Sequence, residues 1–135
     1  MKKMLILMLL ALSQVACATN TKSQVNHEKD VLYVNYFHST QRCPTCRAIE
    51  SETKAVLDAI YPQDLQSGRI VWQVVNIDDE SSENLVEHYE VAWSSLILEY
   101  NGKVINLTDD GFSYARNDAP RFRQILQSTI QSLLP

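Results

Sequence analysis

The sequence predicts an α/β fold, a central mixed four-stranded sheet flanked by helices in the order β-α-β-α-β-β-α. Three observations carry this expectation. The run "DVLYVNYF" (30–37) is apolar almost without interruption, the pattern of a strand covered on both faces, and "RIVWQVVNID" (69–78) is rich in β-branched residues. Between and after these runs, apolar residues recur at helical spacing. Near the C-terminus, "SSLILEY" and "KVINL" flank Asn101-Gly102, a dipeptide whose residues both tolerate positive φ and so favour a tight hairpin.

The elements follow in order. Strand one ends near Phe37. From Pro44, the positions Ile49, Thr53, Val56, Leu57 and Ile60 form one helical stripe. Pro44 suits a first turn, where its missing N–H is no loss, and Pro62 closes the run. Ser67-Gly68 breaks the chain before strand two. The segment 79–90 then offers Asp79, Ser81 or Ser82 as a cap and places Leu85, Val86 and Tyr89 on one face. After the hairpin, Asn117, Asp118 and Pro120 precede a helix with Phe122, Ile125, Leu126, Thr129, Ile130 and Leu133 on one stripe. A strand, a crossover helix and a second strand imply a parallel right-handed unit, to which the hairpin adds an antiparallel pair. Helices are then expected on both faces.

The 135 residues, 45% hydrophobic and 21% charged, describe one globular domain. Its start must be set apart. Lys2 and Lys3 precede the apolar run Met4 to Leu12 and the small residues Ala16 to Ala18, so residues 1–18 read as an export signal. The apolar run is shorter than the roughly 20 residues a spanning helix needs. Residues 19–29 read as a polar tether and 30–135 as the folded domain, located in the periplasm or cell envelope. Cys17 has two readings: "QVAC" is similar to a lipobox whose cysteine is acylated, while "ACAT" fits cleavage after Ala18. Any membrane attachment is expected only through that N-terminal lipid. Loss of the signal leaves 10 basic against 16 acidic side chains, a formal −6, which argues against a nucleic-acid partner. Arg121 and Arg123 stand together at a predicted helix start and read as a solvated face.

With Cys17 at the signal boundary, Cys43 and Cys46 are the only thiols of the domain, two residues apart where strand one meets the first helix. A cysteine just before a helix faces the positive end of the macrodipole and unpaired N–H groups, which lowers its pKa. Cys43 takes that place, with Arg42 and Arg47 as possible additional positive charge. Cys46 lies one turn inward, suited to resolve a mixed disulfide. A purely structural disulfide across two residues would remove little chain entropy. Zinc needs four ligands, and the chain offers only His27, His38 and His88 besides the thiols, with no second CxxC or HxxxH spacing. A soft metal or metalloid needs fewer, so capture by Cys43 and Cys46, with His38 as an extra ligand, stays open as a rival.

This succession of elements, with CxxC at the first strand-to-helix junction, resembles the thioredoxin family from Val31 to Leu134. The resemblance implies a thioredoxin-like fold and a thiol-disulfide oxidoreductase acting on a protein or small-molecule disulfide, with no separate cofactor. It also marks departures. The family's buried carboxylate on strand one falls at Tyr36 or Asn35, and its lysine on strand two falls at Val75, so proton transfer would pass to water or a group such as Glu50. The family's cis-proline loop corresponds to "EVAWSSLIL", where Ser94 and Ser95 stand without proline and a trans peptide is expected. Pro44, Thr45, Trp93, Ser94 and Ser95 form the expected substrate groove, with Trp93 either its wall or part of the core. The segments "QRC", "WSSL" and "SYARNDAP" are also similar to exported thioredoxin-like proteins of Bacteroidetes-type bacteria. Some of these accompany a DsbD-like membrane permease, which implies a candidate electron donor.

Overall fold

The protein, analysed as a computed structural model, is described over residues 25–135. The signal segment, Cys17 and the first part of the tether lie outside the described residues. Four strands form one sheet: β1 (Leu32–His38), β2 (Ile70–Asn76), β3 (Ser95–Tyr100) and β4 (Lys103–Asn106), in spatial order β2-β1-β3-β4. β1 runs parallel to β2, with Leu32 opposite Ile70 and His38 opposite Asn76. It runs antiparallel to β3, with Tyr33 opposite Glu99 and Phe37 opposite Ser95. β3 and β4 form the expected hairpin, whose turn residues Asn101 and Gly102 have φ of 49° and 80°.

β1 is the central parallel strand, and its pleat divides two cores. Leu32, Val34 and Tyr36 face one side, where α1 (Pro44–Ile60), α4 (Thr108–Tyr114) and α5 (Ala119–Leu133) pack. Phe37 faces the other side with Val75, Val91 and Ile97, closed by Leu85, Val86 and Tyr89 around α3 (Glu83–His88). All six stripe positions read for the last helix fall within α5, and four of them, Phe122, Leu126, Ile130 and Leu133, are buried. Asp118 caps that helix, its carboxylate accepting from the Arg121 N–H at 3.3 Å.

Two elements go beyond the expected order. Pro62 ends the stripe of α1, yet it also opens a short helix, α2 (Pro62–Ser67). Tyr61, at φ −122° and ψ 36°, separates the two, and proline is as suited to a first helical turn as to ending the helix before it. The second is α4. "TDDGFSY" shows a weak apolar stripe and an internal glycine, both poor helix signals. Tertiary contact supports it: a Cβ on Gly111 would lie 3.1 Å from the Ile49 side chain of α1, so the absence of a side chain lets the two helices approach. The region read as one helix at 79–90 begins as a 3-10 turn (Glu80–Ser82) before α3, and neither Asp79 nor Ser82 makes a side-chain cap there.

Candidate functional site

α1 begins at the C-terminal end of β1, and Cys43 is its N-cap, with φ −72° and ψ 160°. The four peptide N–H groups of a first helical turn lack helical acceptors, and the sulfur meets one of them: the Cys46 N–H donates to Cys43 Sγ at 3.0 Å. No acidic side chain sits in that first turn to cancel the positive end of the helix. Cys43 and Cys46 form a disulfide with Cα atoms 5.1 Å apart. Cys43 is exposed and Cys46 is buried at 6% exposure, the asymmetry expected of an attacking and a resolving thiol.

Beneath the helix start lies Tyr36. Its hydroxyl donates to the Cys46 carbonyl at 2.6 Å and neighbours Arg42 and Ser94. Burial raises the phenol above its ordinary value, against the lowering effect of Arg42 and Ser94, so the group stays neutral at physiological pH. The structure thereby separates the two candidates for the place of the family's carboxylate. Tyr36 points under the cysteines, whereas Asn35 points to the opposite face and donates to the Tyr89 hydroxyl at 3.0 Å. Val75 is apolar core on that opposite face, so no lysine stands in for it. Arg42 holds Glu50 in an ion pair and places its guanidinium 5.7 Å from the Tyr36 ring centre. Glu50, named from the sequence as a proton carrier, is thus engaged by Arg42. Arg47 is exposed.

The loop before β3 completes the site. Ser94 is buried and its hydroxyl lies 3.7 Å from Cys46 Sγ, while Ser95 donates to the Trp93 carbonyl at 3.0 Å. Peptide bonds in the described residues are trans, as expected for a loop without proline. Trp93 is 68% exposed, which removes it from the core and leaves it as a free aromatic face at the loop. A cleft of about 310 Å³ runs from Trp93 to the start of α4, lined also by Ser95, Asn106 and Asp109. Pro44 is exposed and Thr45 half-buried at the helix start. His38 Nδ1 lies 2.9 Å from the Ser39 carbonyl, and its ring centre stands 6.1 Å from that of Tyr36. On the β2 side, the carboxylate of Asp78 accepts from the Thr40 N–H at 2.7 Å and so ties down the loop that leads into Cys43.

No family model matches the chain, and no curated protein matches it. Among solved structures, a malarial protein aligns at 18% identity with a TM-score of 0.52, covering 78% of this chain and 99% of its own. The germline-specific thioredoxin Deadhead of Drosophila melanogaster aligns at 20% identity and TM-score 0.49, and Fasciola hepatica thioredoxin at 18% and 0.47. Each covers 78% of this chain and 83% of its own. Likeness at these identities concerns the fold alone. The fold is thioredoxin-like, a mixed four-stranded sheet flanked by helices, with a CxxC-spaced disulfide where β1 passes into α1.

Proposed function

We propose that the chain is an exported thiol-disulfide oxidoreductase that reduces protein or small-molecule disulfides through Cys43 and Cys46. The observation that carries this reading is the exposed residue Cys43 at the N-cap of α1, its sulfur accepting from the Cys46 N–H at 3.0 Å beside a buried partner cysteine. In the reduced form, the same N–H and the helix dipole favour the Cys43 thiolate. That thiolate attacks one sulfur of a substrate disulfide, and the other leaves as a thiolate. Cys46, deprotonated by water or a nearby base, attacks Cys43 Sγ and expels the second substrate thiolate. Two electrons pass from the dithiol to the substrate, and Cys43-Cys46 closes. Trp93 and the Ser94–Ser95 loop form the substrate wall, with Pro44 and Thr45 at its rim. The N-terminal pattern supports a place in the periplasm or cell envelope, tethered through an acylated Cys17, with a DsbD-like membrane protein returning the electrons.

The test is the reduction potential of the pair in the processed chain, set by glutathione or dithiothreitol equilibration and read by mass-tagging of free thiols. A potential near roughly −270 mV fits a reductase fed from the membrane, and one near roughly −120 mV reverses the direction to disulfide donation. A pair that fails to cycle removes the redox reading and leaves soft-metal capture by the two thiols to be titrated.

A further inference from the structure

A second group of chemistry-bearing side chains lies on the opposite face of the sheet from α1. Glu99 projects from β3 one residue before its end, four residues beyond Ser95, and is buried at 7% exposure. His27 reaches it from the segment before β1, and His88 from the last position of α3. His27 Nδ1 lies 3.2 Å and His88 Nε2 3.4 Å from the same carboxylate oxygen, Glu99 Oε2. Potential ligand atoms of all three residues lie within 4.8 Å of one another, and no other such trio of His, Cys, Asp or Glu occurs among the described residues.

We propose that His27, His88 and Glu99 form a divalent transition-metal site of the zinc class, separate from the thiol pair. Zinc bonds of about 2.0–2.2 Å to imidazole nitrogen and carboxylate oxygen, set at tetrahedral angles, require ligand atoms about 3.3–3.5 Å apart. The two measured edges, 3.2 and 3.4 Å, agree with that spacing. The third edge, between the imidazoles, is at most 4.8 Å, and closing it falls to His88, the most exposed of the three side chains.

The surroundings fit a cation as well as the spacing does. Glu99 is enclosed at 7% exposure, and both imidazoles converge on its one oxygen Oε2. Tyr89, oriented by the Asn35 amide at 3.0 Å, places its hydroxyl 3.4 Å from His27 Nδ1, and Tyr33 stacks on the His27 ring at 3.9 Å. Both contacts limit the freedom of the ligands before any ion arrives. A hollow of about 530 Å³ opens beside His27 and Glu99, bordered by Lys29 and Asn101, so water can reach a fourth position. Three protein ligands and one open position make up the donor set of an accessible zinc centre.

Because its ligands come from three distant parts of the chain, the site exists only in the folded protein, and binding must stabilise the fold. The test uses the processed chain, stripped with EDTA, with Cys43-Cys46 kept oxidised. Zn²⁺ is titrated calorimetrically, Co²⁺ by its visible d–d absorption, and the melting temperature is followed with and without Zn²⁺. One equivalent of Zn²⁺ should bind and raise the melting temperature. His88→Ala and Glu99→Gln should each weaken binding by at least the about 10- to 100-fold typical of losing an outer partner of a metal ligand. His88 is partly exposed, so its variant keeps the fold even if the Glu99 variant does not. His38→Ala and the double variant Cys43→Ser/Cys46→Ser should bind as the parent does. Absence of saturable binding in the folded parent would overturn the proposal and leave the trio an ion-pair cluster. Binding that persists undiminished in both His88→Ala and Glu99→Gln would also overturn it, since the ion would then be held by other groups.

Discussion

Tyr36 places a neutral phenol at the position where the sequence departs from the resembled family's buried carboxylate, and this changes what the residue can contribute. Raised above its ordinary value by burial, the phenol cannot accept the Cys46 proton near neutral pH. What it does instead is anchor, by donating to the Cys46 carbonyl at 2.6 Å and so fixing the first turn of α1. Tyr36→Phe should then lower stability by about 0.5–1.5 kcal/mol, the net value of one hydrogen bond, while thiol exchange keeps its pH profile between 6 and 8. Denaturant unfolding and a stopped-flow pH series would check both halves; a shifted profile would show that the phenol does move protons. The cysteines themselves should behave unequally. Cys46→Ser, with the exposed Cys43 retained, should accumulate mixed disulfides that survive non-reducing electrophoresis, and Cys43→Ser should accumulate none. Equal behaviour of the two variants would reduce the pair to a staple. The sequence left Asn35 and Tyr36 as equal candidates because neighbouring strand residues point to opposite faces, and nothing in the local pattern tells which face α1 will cover. The same limit concealed the His27, His88 and Glu99 trio, whose members come together only through the strand order.

At the scale of elements, hydrophobic period decided what was legible. β1, α1 and α5 have long, uniform patterns, and the structure places each within a residue or two of its expected bounds. α2 and α4 have six and seven residues, too few for a period to emerge, and their cues were ambiguous. Proline reads equally as an end or a beginning, and a glycine inside "TDDGFSY" argues locally against a helix. The structure supplies the missing reason for that glycine, which is the close approach of α4 to Ile49 on α1. Gly111→Val should therefore destabilise the protein by about 1–3 kcal/mol through overpacking, since Ile49 is itself fully enclosed and has little room to yield. A second variant, Ile49→Val/Gly111→Val, makes room on the other side of the contact and should recover part of the loss. Chemical denaturation of the two proteins measures the difference, and a single variant as stable as the parent would show that α4 can stand further off.

Across the whole molecule, the topology could be read from the sequence because strand-helix-strand handedness and a tight hairpin leave few arrangements of four strands. The polar ties between distant segments could not, since single side chains carry no period. Two of these ties involve carboxylates and give the fold a defined response to acid. Asp78 is held below its ordinary value of 3.8 by hydrogen bonds from Thr40, 38 residues earlier in the chain. Glu99 is held below 4.5 despite burial, by Tyr89, His27 and His88. In each case the folded state favours the charged carboxylate more than the unfolded chain does. The stability it contributes is therefore fully present above the ordinary value and is lost as pH falls through the lowered, folded-state value. Metal-free protein should show no change in stability from these two groups near neutrality, and a decline that sets in below about pH 4.5. Asp78→Asn should remove part of that decline and also loosen residues 39–42, seen as faster hydrogen exchange at the Thr40 amide and a changed Cys43 reaction rate at neutral pH. Glu99→Gln should flatten the same acid limb without altering the Cys43 rate, because it lies on the face of the sheet opposite α1. If the cysteine chemistry responds equally to both substitutions, the two faces are coupled through β1 and β3, and the separation of the thiol pair from the histidine cluster fails.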